Sequence, residues 1–238
     1  MRRFFAHHIT DGFAFFDEAE LAHIKKVLRM KAGEAVIVPE GRGEWVCELC
    51  EKDGELAARL IERRGCDAEP KKEITLYLAY TKSDKMELCV QKAVELGAAR
   101  ICPFFSSRCV KLPDAKSAEK GNIRFSRIAH EAVKQCGRAQ DIEISMPLSF
   151  DGLLKRIAEE ELSVFAFERS DAPLKNCLCG SDAGRIGLII GPEGGFSDEE
   201  AERIQKSGAV SVSLGTRILR AETAAVALMA IVSYETEN

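Results

Sequence analysis

The sequence predicts an α/β protein: a parallel sheet covered by helices on both faces, preceded by a small unit made mostly of strands. Three observations carry this reading. From about residue 70 onward, short apolar runs alternate with segments of helical periodicity, the pattern of strand–helix–strand crossovers. The first of these runs, ITLYLAY at 74–80, is apolar almost throughout, as strands buried on both faces are. Before residue 70 the apolar runs are separated instead by GRG and DG turn signals, as strands joined by tight turns would be.

The bulk properties agree. A chain of 238 residues has room for one large domain or a small and a medium one, and 46% hydrophobic with 30% charged residues excludes a disordered chain. MRRFFAHHITDGFAFF lacks the apolar core of a signal peptide, and no apolar run reaches the roughly 18 residues that span a bilayer. The expectation is a cytoplasmic protein, away from membranes, with its nine cysteines reduced. Cys47 and Cys50 have half-site zinc spacing, and Cys177 with Cys179 forms a second close pair. The four histidines (His7, His8, His23, His130) are not spaced to complete a site, and a strand would point Cys47 and Cys50 to opposite faces. No metal is expected.

In order along the chain, Asp17 with Glu20 resembles a capping box for a helix carrying Leu21, Ile24 and Leu28. EAVIVPE, EWVCELCE and ELAARLIERR follow as strands. The polar stretch GCDAEPKK at 65–72 marks the boundary, giving domains at 1–70 and 71–238. Asp84 is the expected cap of a helix bearing Leu88, Val90, Ala93 and Val94, which Gly97 ends. RICPFF is a strand, a helix over 118–136 stops at Gly137, and IEIS is the next strand. SVFAF, IGLII and VSVSL are three short buried strands, with Ser197 and Glu200 capping the helix between the last two.

Charge is uneven. Residues 1–70 carry 11 basic and 14 acidic side chains, 71–145 carry 14 and 9, and 146–238 carry 9 and 15. The basic middle, which includes Lys82, Lys85, Arg108, Lys111, Arg124, Arg127, Lys134 and Arg138, reads equally as a polyanion dock or a solvated surface.

In open parallel sheets, ligands bind beyond the carboxyl ends of the strands. Three loops leave such ends here: ERSDAP, GPEGGFS and GTRILRAET. Gly191, Gly194 and Gly195 allow close approach to bare backbone. The loop is neither a P-loop nor GxGxxG, and Glu193 opposes a phosphate. It suits a ligand with hydroxyls or positive charge, such as a nucleoside bearing a sulfonium; the plain alternative is a tight turn into the next helix. In the last loop, Ile218 and Leu219 suit the flanks of a flat ring. Arg220 paired with Glu222, and Thr223 as a helix cap, are equally plain alternatives.

IIGPEGGFSDEE followed by LGTRILRAETAA resembles the signature of the RsmE-type ribosomal RNA methyltransferases of the SPOUT superfamily. The likeness extends to HIKKVLRMKAGE, TKSDKMELCVQKAVELGAARICPFFSSRC and RIAHEAVKQCGR. The resemblance implies a PUA-like RNA-binding barrel ahead of a SPOUT sheet that ends in a C-terminal trefoil knot. The apolar run 224–232 would then be a helix buried against the knot and a second subunit of a homodimer. It implies S-adenosyl-L-methionine as cofactor, held around Gly191, Leu214, Gly215, Ile218 and Leu219, with Phe167, Glu193, Gly195 and Thr223 as further pocket candidates. It implies methyl transfer to N3 of a uridine in 16S ribosomal RNA, as naked RNA or in the small ribosomal subunit. Arg220 and Glu222 are the catalytic candidates, and Arg108, Gln135 and Arg138 the RNA-binding ones. Two rivals are a Rossmann-like dinucleotide enzyme, whose glycine loop normally follows the first strand, and a noncatalytic RNA-binding module, which would not need the pocket pattern.

Overall fold

The computed structural model describes residues 1–110, 112–178 and 180–237; Lys111, Cys179 and Asn238 lie outside them. The chain divides into two compact units. The first comprises Met1–Glu69 together with Val133–Asp141, a segment the sequence reading assigned to the second domain. The second comprises Pro70–Ala132 and Ile142–Asn238.

In the first unit, β1 (Arg2–Arg3), β2 (His8–Thr10), β3 (Phe13–Phe15), β4 (Ala35–Glu40), β5 (Gly43–Lys52) and β6 (Glu55–Gly65) form one sheet in the order β1-β4-β5-β6-β3-β2. Turns with two consecutive left-handed residues close two hairpins: Asp11-Gly12 (φ 50° and 80°) and Asp53-Gly54 (φ 51° and 84°). This twist matches that of the flanking strands. A bulge opposite Val46/Cys47 leaves Ile61 of β6 out of the ladder, and along β5 Cys47 and Leu49 are buried while Cys50 is half-buried. Phe4, Ala14, Phe16, Ile24, Val36, Val38, Cys47 and Leu49 belong to the core of this unit. α1 (Glu18–Ala22) continues as a π-helical turn over His23–Val27, which the helical spacing did not foretell. Asp17 accepts the Glu20 N–H at 2.8 Å, but the Glu20 carboxylate pairs with Lys134 rather than completing a capping box.

The second unit holds β7 (Glu73–Ala79), β8 (Ala98–Phe104), β9 (Glu143–Ile144), β10 (Leu162–Ala166), β11 (Arg185–Ile190) and β12 (Val210–Val212). Every pairing among them is parallel, in the order β12-β10-β11-β7-β8-β9. Alternation along the strands puts Tyr77, Phe104, Phe165 and Ile189 on one face, packed with Leu153 and Ile157 of α4 (Phe150–Ile157) and Ile204 of α6 (Asp198–Lys206). On the other side α2 (Ser83–Glu95) packs against β8, and α7 (Ala221–Glu237) against β11 and α2. The remaining helices are α3 (Ala115–Cys136) and the single turn α5 (Lys175–Leu178).

Two local expectations change. Lys82 is the N-cap of α2, and Asp84 sits inside its first turn, where a carboxylate still complements the positive helix end. Leu88 is 43% exposed, while Met86 and Cys89 take the buried stripe with Val90, Ala93 and Val94. The Ser197–Glu200 capping box of α6 is complete.

Candidate functional site

β10 lies between β11 and β12, and parallel pairing sends all three chains out at one edge of the sheet. The loops that follow enclose a cavity of about 280 Å³ lined by residues 166–168, 190–196 and 213–219 together with Ala221 and Ala224. It lies within the second unit, beyond the strands' carboxyl ends, the position the crevice rule assigns.

The glycine loop is shaped by what packs behind it. A Cβ on Gly191 would meet the Phe196 ring at 3.0 Å, so the absent side chain makes room for that ring. Phe196 is 1% exposed, stacks on Phe104 at 6.3 Å between centroids and meets Phe165 edge-on at 6.0 Å. These contacts anchor the loop in the core. Gly195 donates to the Pro192 carbonyl at 2.9 Å, closing a turn, and holds φ at 67°. A Cβ there would stand 2.9 Å from Glu168 Oε1. From outside, Arg108 Nη1 donates to the carbonyls of Gly194 (3.0 Å) and Phe196 (3.3 Å). Glu200 Oε1 accepts the Ser107 N–H at 2.7 Å. The segment after β8 therefore braces the loop.

The other two walls are tied to each other. Phe167 N–H donates to the Val212 carbonyl at 3.0 Å, and Ser213 N–H to the Ala172 carbonyl at 2.8 Å. The guanidinium of Arg169 stands 5.4 Å from the Phe167 ring centre. Gly215 has φ 113°, outside the range of L side chains, and its N–H donates to Ser213 Oγ at 3.2 Å. Ile218, 88% exposed, lines the cavity with an apolar side chain that the core does not use.

Of the cofactor-pocket candidates, Phe167, Gly191, Glu193, Gly195, Leu214, Gly215, Ile218 and Leu219 line the cavity. Thr223 does not; it is exposed on α7. Arg220 and Glu222 flank Ala221 without lining the cavity, and among the described residues no ion pair joins them. Arg220 is exposed, its carbonyl accepting the Ala224 N–H at 2.8 Å. Glu222 turns instead to Lys85, which also meets Glu193.

The RNA-binding candidates part company. Arg108 belongs to the second unit, Gln135 and Arg138 to the first. Gln135 is exposed. Arg138, expected on an RNA-facing surface, is 4% exposed and pairs with Glu69 at 3.1 Å, so its charge is committed to the interior. That carboxylate also accepts the N–H groups of Ala139 (2.7 Å) and Gln140 (3.0 Å).

Among the polar side chains that line the cavity, residue-level reading did not single out Glu168, Ser213, Thr216 and Arg217. The rule that found the loops could have found Glu168, which stands two residues past the end of β10. Among the described residues no group of His, Cys, Asp and Glu could hold a metal, and no helix is long and apolar enough to cross a membrane.

The cavity lining suits S-adenosylmethionine. Glu168 and Glu193 supply carboxylates for hydroxyl and cationic groups, exposed glycine backbone supplies amides, and Leu214, Ile218 and Leu219 supply apolar flanks.

Residues 68–233 match a family model described as RNA methyltransferase domain, and residues 16–57 one described as RNA methyltransferase PUA domain. The chain is similar to ribosomal RNA small subunit methyltransferase E of Bacillus subtilis, at 34% identity over 92% of this chain and 88% of the relative. Among solved structures, it is similar to a ribosomal RNA small subunit methyltransferase E from Neisseria gonorrhoeae bound to S-adenosyl methionine. The TM-score is 0.86, with 26% identity over 98% of this chain and 97% of that one. A putative methyltransferase from Legionella pneumophila in complex with bound SAM gives a TM-score of 0.84, with 29% identity over 98% and 96% of the two chains.

Proposed function

The chain belongs to the RNA methyltransferase family, and from that premise we propose that it transfers a methyl group from S-adenosylmethionine to N3 of a uridine in 16S ribosomal RNA. The observation that carries the reading is the single cavity wall built by three strand exits, with two carboxylates, bare glycine backbone and exposed Ile218 facing one space.

S-adenosylmethionine, when bound, supplies a methyl carbon already activated by its sulfonium. The chain's residues then have the work of holding, orienting and removing a proton. Gly191, Leu214, Gly215, Ile218 and Leu219 hold the base of the nucleoside through backbone and apolar contact. Glu168 and Glu193 face the hydroxyls and the positive charge. N3 lies on the Watson–Crick edge and carries a proton, so the uridine enters unpaired or flipped from its stack. Glu222 accepts that proton, and Arg220 steadies negative charge on the base oxygens. Arg108 and Gln135 serve RNA, Arg108 while bracing the glycine loop; Arg138 is withdrawn from that role.

The protein works in the cytoplasm as a homodimer on the small-subunit RNA, its last helix covered by the partner and its C-terminal region knotted. Support for the dimer comes from α7, where Val226, Ala227 and Ala230 are half-buried, Ile231 is 42% exposed and Tyr234 is 68% exposed. That face of α7 carries large apolar side chains into water.

The test is calorimetry with S-adenosylmethionine against NADH, followed by methylation of 16S RNA and mass spectrometry of the digested nucleosides. Binding of the first ligand and appearance of 3-methyluridine are expected. Binding of NADH alone, or RNA binding without cofactor binding, would overturn the reading.

A further inference from the structure

Lys85 occupies an unfavourable place for a cation. It lies in the first turn of α2, where unsatisfied N–H groups make the helix end positive. Nothing in α2 offsets it through a described ion pair; two carboxylates from other elements do. Lys85 Nζ stands 3.3 Å from Glu193 Oε1 and 3.4 Å from Glu222 Oε2, with the three side chains 23%, 23% and 16% exposed. Glu193 belongs to the glycine loop and lines the cavity. Glu222 belongs to the first turn of α7, between the lining residues Ala221 and Ala224. One ammonium therefore ties two walls of the cavity together.

The arrangement needs all three charges. Both carboxylate oxygens contact the same nitrogen, which keeps them within about 7 Å of each other, less than a Debye length at physiological salt. Without Lys85 that proximity would be repulsive, and the glycine loop and the α7 turn would move apart. Glu222 Oε2 is screened from solvent and has no hydrogen bond, so its direction depends on the ion pair. Partial burial pulls the Lys85 ammonium pKa down, but the close carboxylates of Glu193 and Glu222 outweigh it and raise the pKa, so the lysine stays charged. On the same side of α2, burial first and the Glu222 charge second push the Cys89 thiol up to about 12, which keeps that neighbour neutral.

We propose that Lys85 is a positioning residue for methyl transfer, fixing the glycine loop through Glu193 and aiming the Glu222 carboxylate, so that pocket shape and proton acceptor are set by one side chain. The inference rests on the methyltransferase reading above, which wild-type cofactor binding and 3-methyluridine formation test separately.

The experiment compares wild type, Lys85→Met, Lys85→Arg, Glu193→Gln and the Lys85→Met/Glu193→Gln pair. Each is assayed for S-adenosylmethionine Kd, for kcat and KM on 16S RNA, and for thermal midpoint. In Lys85→Met the cofactor Kd should rise roughly tenfold, mid-range for contacting charged groups, and the effect should shrink to about twofold or less in the Glu193→Gln background. Turnover should fall further than the Kd change explains at saturating cofactor, with KM for RNA little changed. Lys85→Arg should recover most of both losses. Kd and kcat within twofold of wild type in a folded Lys85→Met would overturn the proposal, as would losses of equal size in Lys85→Arg. If Lys85→Met is insoluble, Glu193→Gln, Glu222→Gln and their pair carry the test: non-additive losses in Kd and kcat support it, and additive losses overturn it.

Discussion

Replacing Gly195 by alanine separates the needs of the fold from those of the cavity. The residue holds φ at 67°, where a Cβ costs about 1–2 kcal/mol. Alanine also restricts the unfolded chain, returning about 0.4–1 kcal/mol. The net loss of stability should thus be about 1 kcal/mol. The affinity should suffer more. The new Cβ would stand 2.9 Å from Glu168 Oε1, closer than real contacts allow. The exposed carboxylate can swing away at little cost to folding, but it then leaves its place in the cavity wall. Losing one charge-assisted hydrogen bond to the cofactor costs about 1.5–3 kcal/mol, so Kd should rise on the order of 10- to 100-fold. Titration calorimetry gives the affinity and urea denaturation the stability. In a Glu168→Ala background the affinity penalty of Gly195→Ala should largely vanish while the stability penalty remains. Gly208→Ala, away from the cavity lining, is the control for strain alone, since φ there is 95° and a Cβ would meet nothing within 4 Å. Wild-type affinity in Gly195→Ala, or an affinity loss undiminished by Glu168→Ala, would refute this account.

Three other outcomes follow from single contacts. Arg138→Ala should destabilise the first unit by about 3–5 kcal/mol, because it strands Glu69, whose side chain is 4% exposed, without its cation; folded protein should keep its cofactor affinity. Glu44 bridges Arg3 (2.6 Å) and Arg64 (2.7 Å). Burial raises its pKa, but hydrogen bonds from Arg64 and Arg3 outweigh that and hold it below the ordinary 4.5. Its stabilisation is therefore present above about pH 4.5 and lost as pH falls through the lower folded value. Acid titration of the neighbouring Trp45, the chain's one tryptophan, should show this loss, and Glu44→Gln should flatten it. On α7, Ile231→Asp (42% exposed) should give a folded monomer and Leu228→Asp (0% exposed) an unfolded chain. Sedimentation velocity decides; a wild-type monomer at micromolar concentration, active on RNA, would sink the dimer.

Much of the molecule was legible in the residues themselves. ITLYLAY, SVFAF and IGLII are strands because unbroken apolar runs of that length satisfy both faces of a covered sheet, and the structure has them parallel. Ser197 with Glu200 announced a capping box that needs no partner beyond its own turn. The glycines at 191, 195 and 215 marked the cavity because their backbone requirements are local, and the motifs around them placed the chain in its family. What the sequence could not supply was the destination of charged side chains. Arg138 reads as a surface cation in a basic stretch, yet Glu69, far away in the chain, fixes it inside. Glu222 and Arg220 read equally as catalytic candidates or as a local pair, yet Lys85 takes the carboxylate. Glu168 reads as one of several loop carboxylates, yet the missing Cβ of Gly195 gives it space beside the glycine loop. Strand, turn and cap follow from interactions a few residues apart, so their pattern is written along the chain. An ion pair is chosen by whichever opposite charge the folded backbone brings within a few ångströms, and only the tertiary structure decides which one that is.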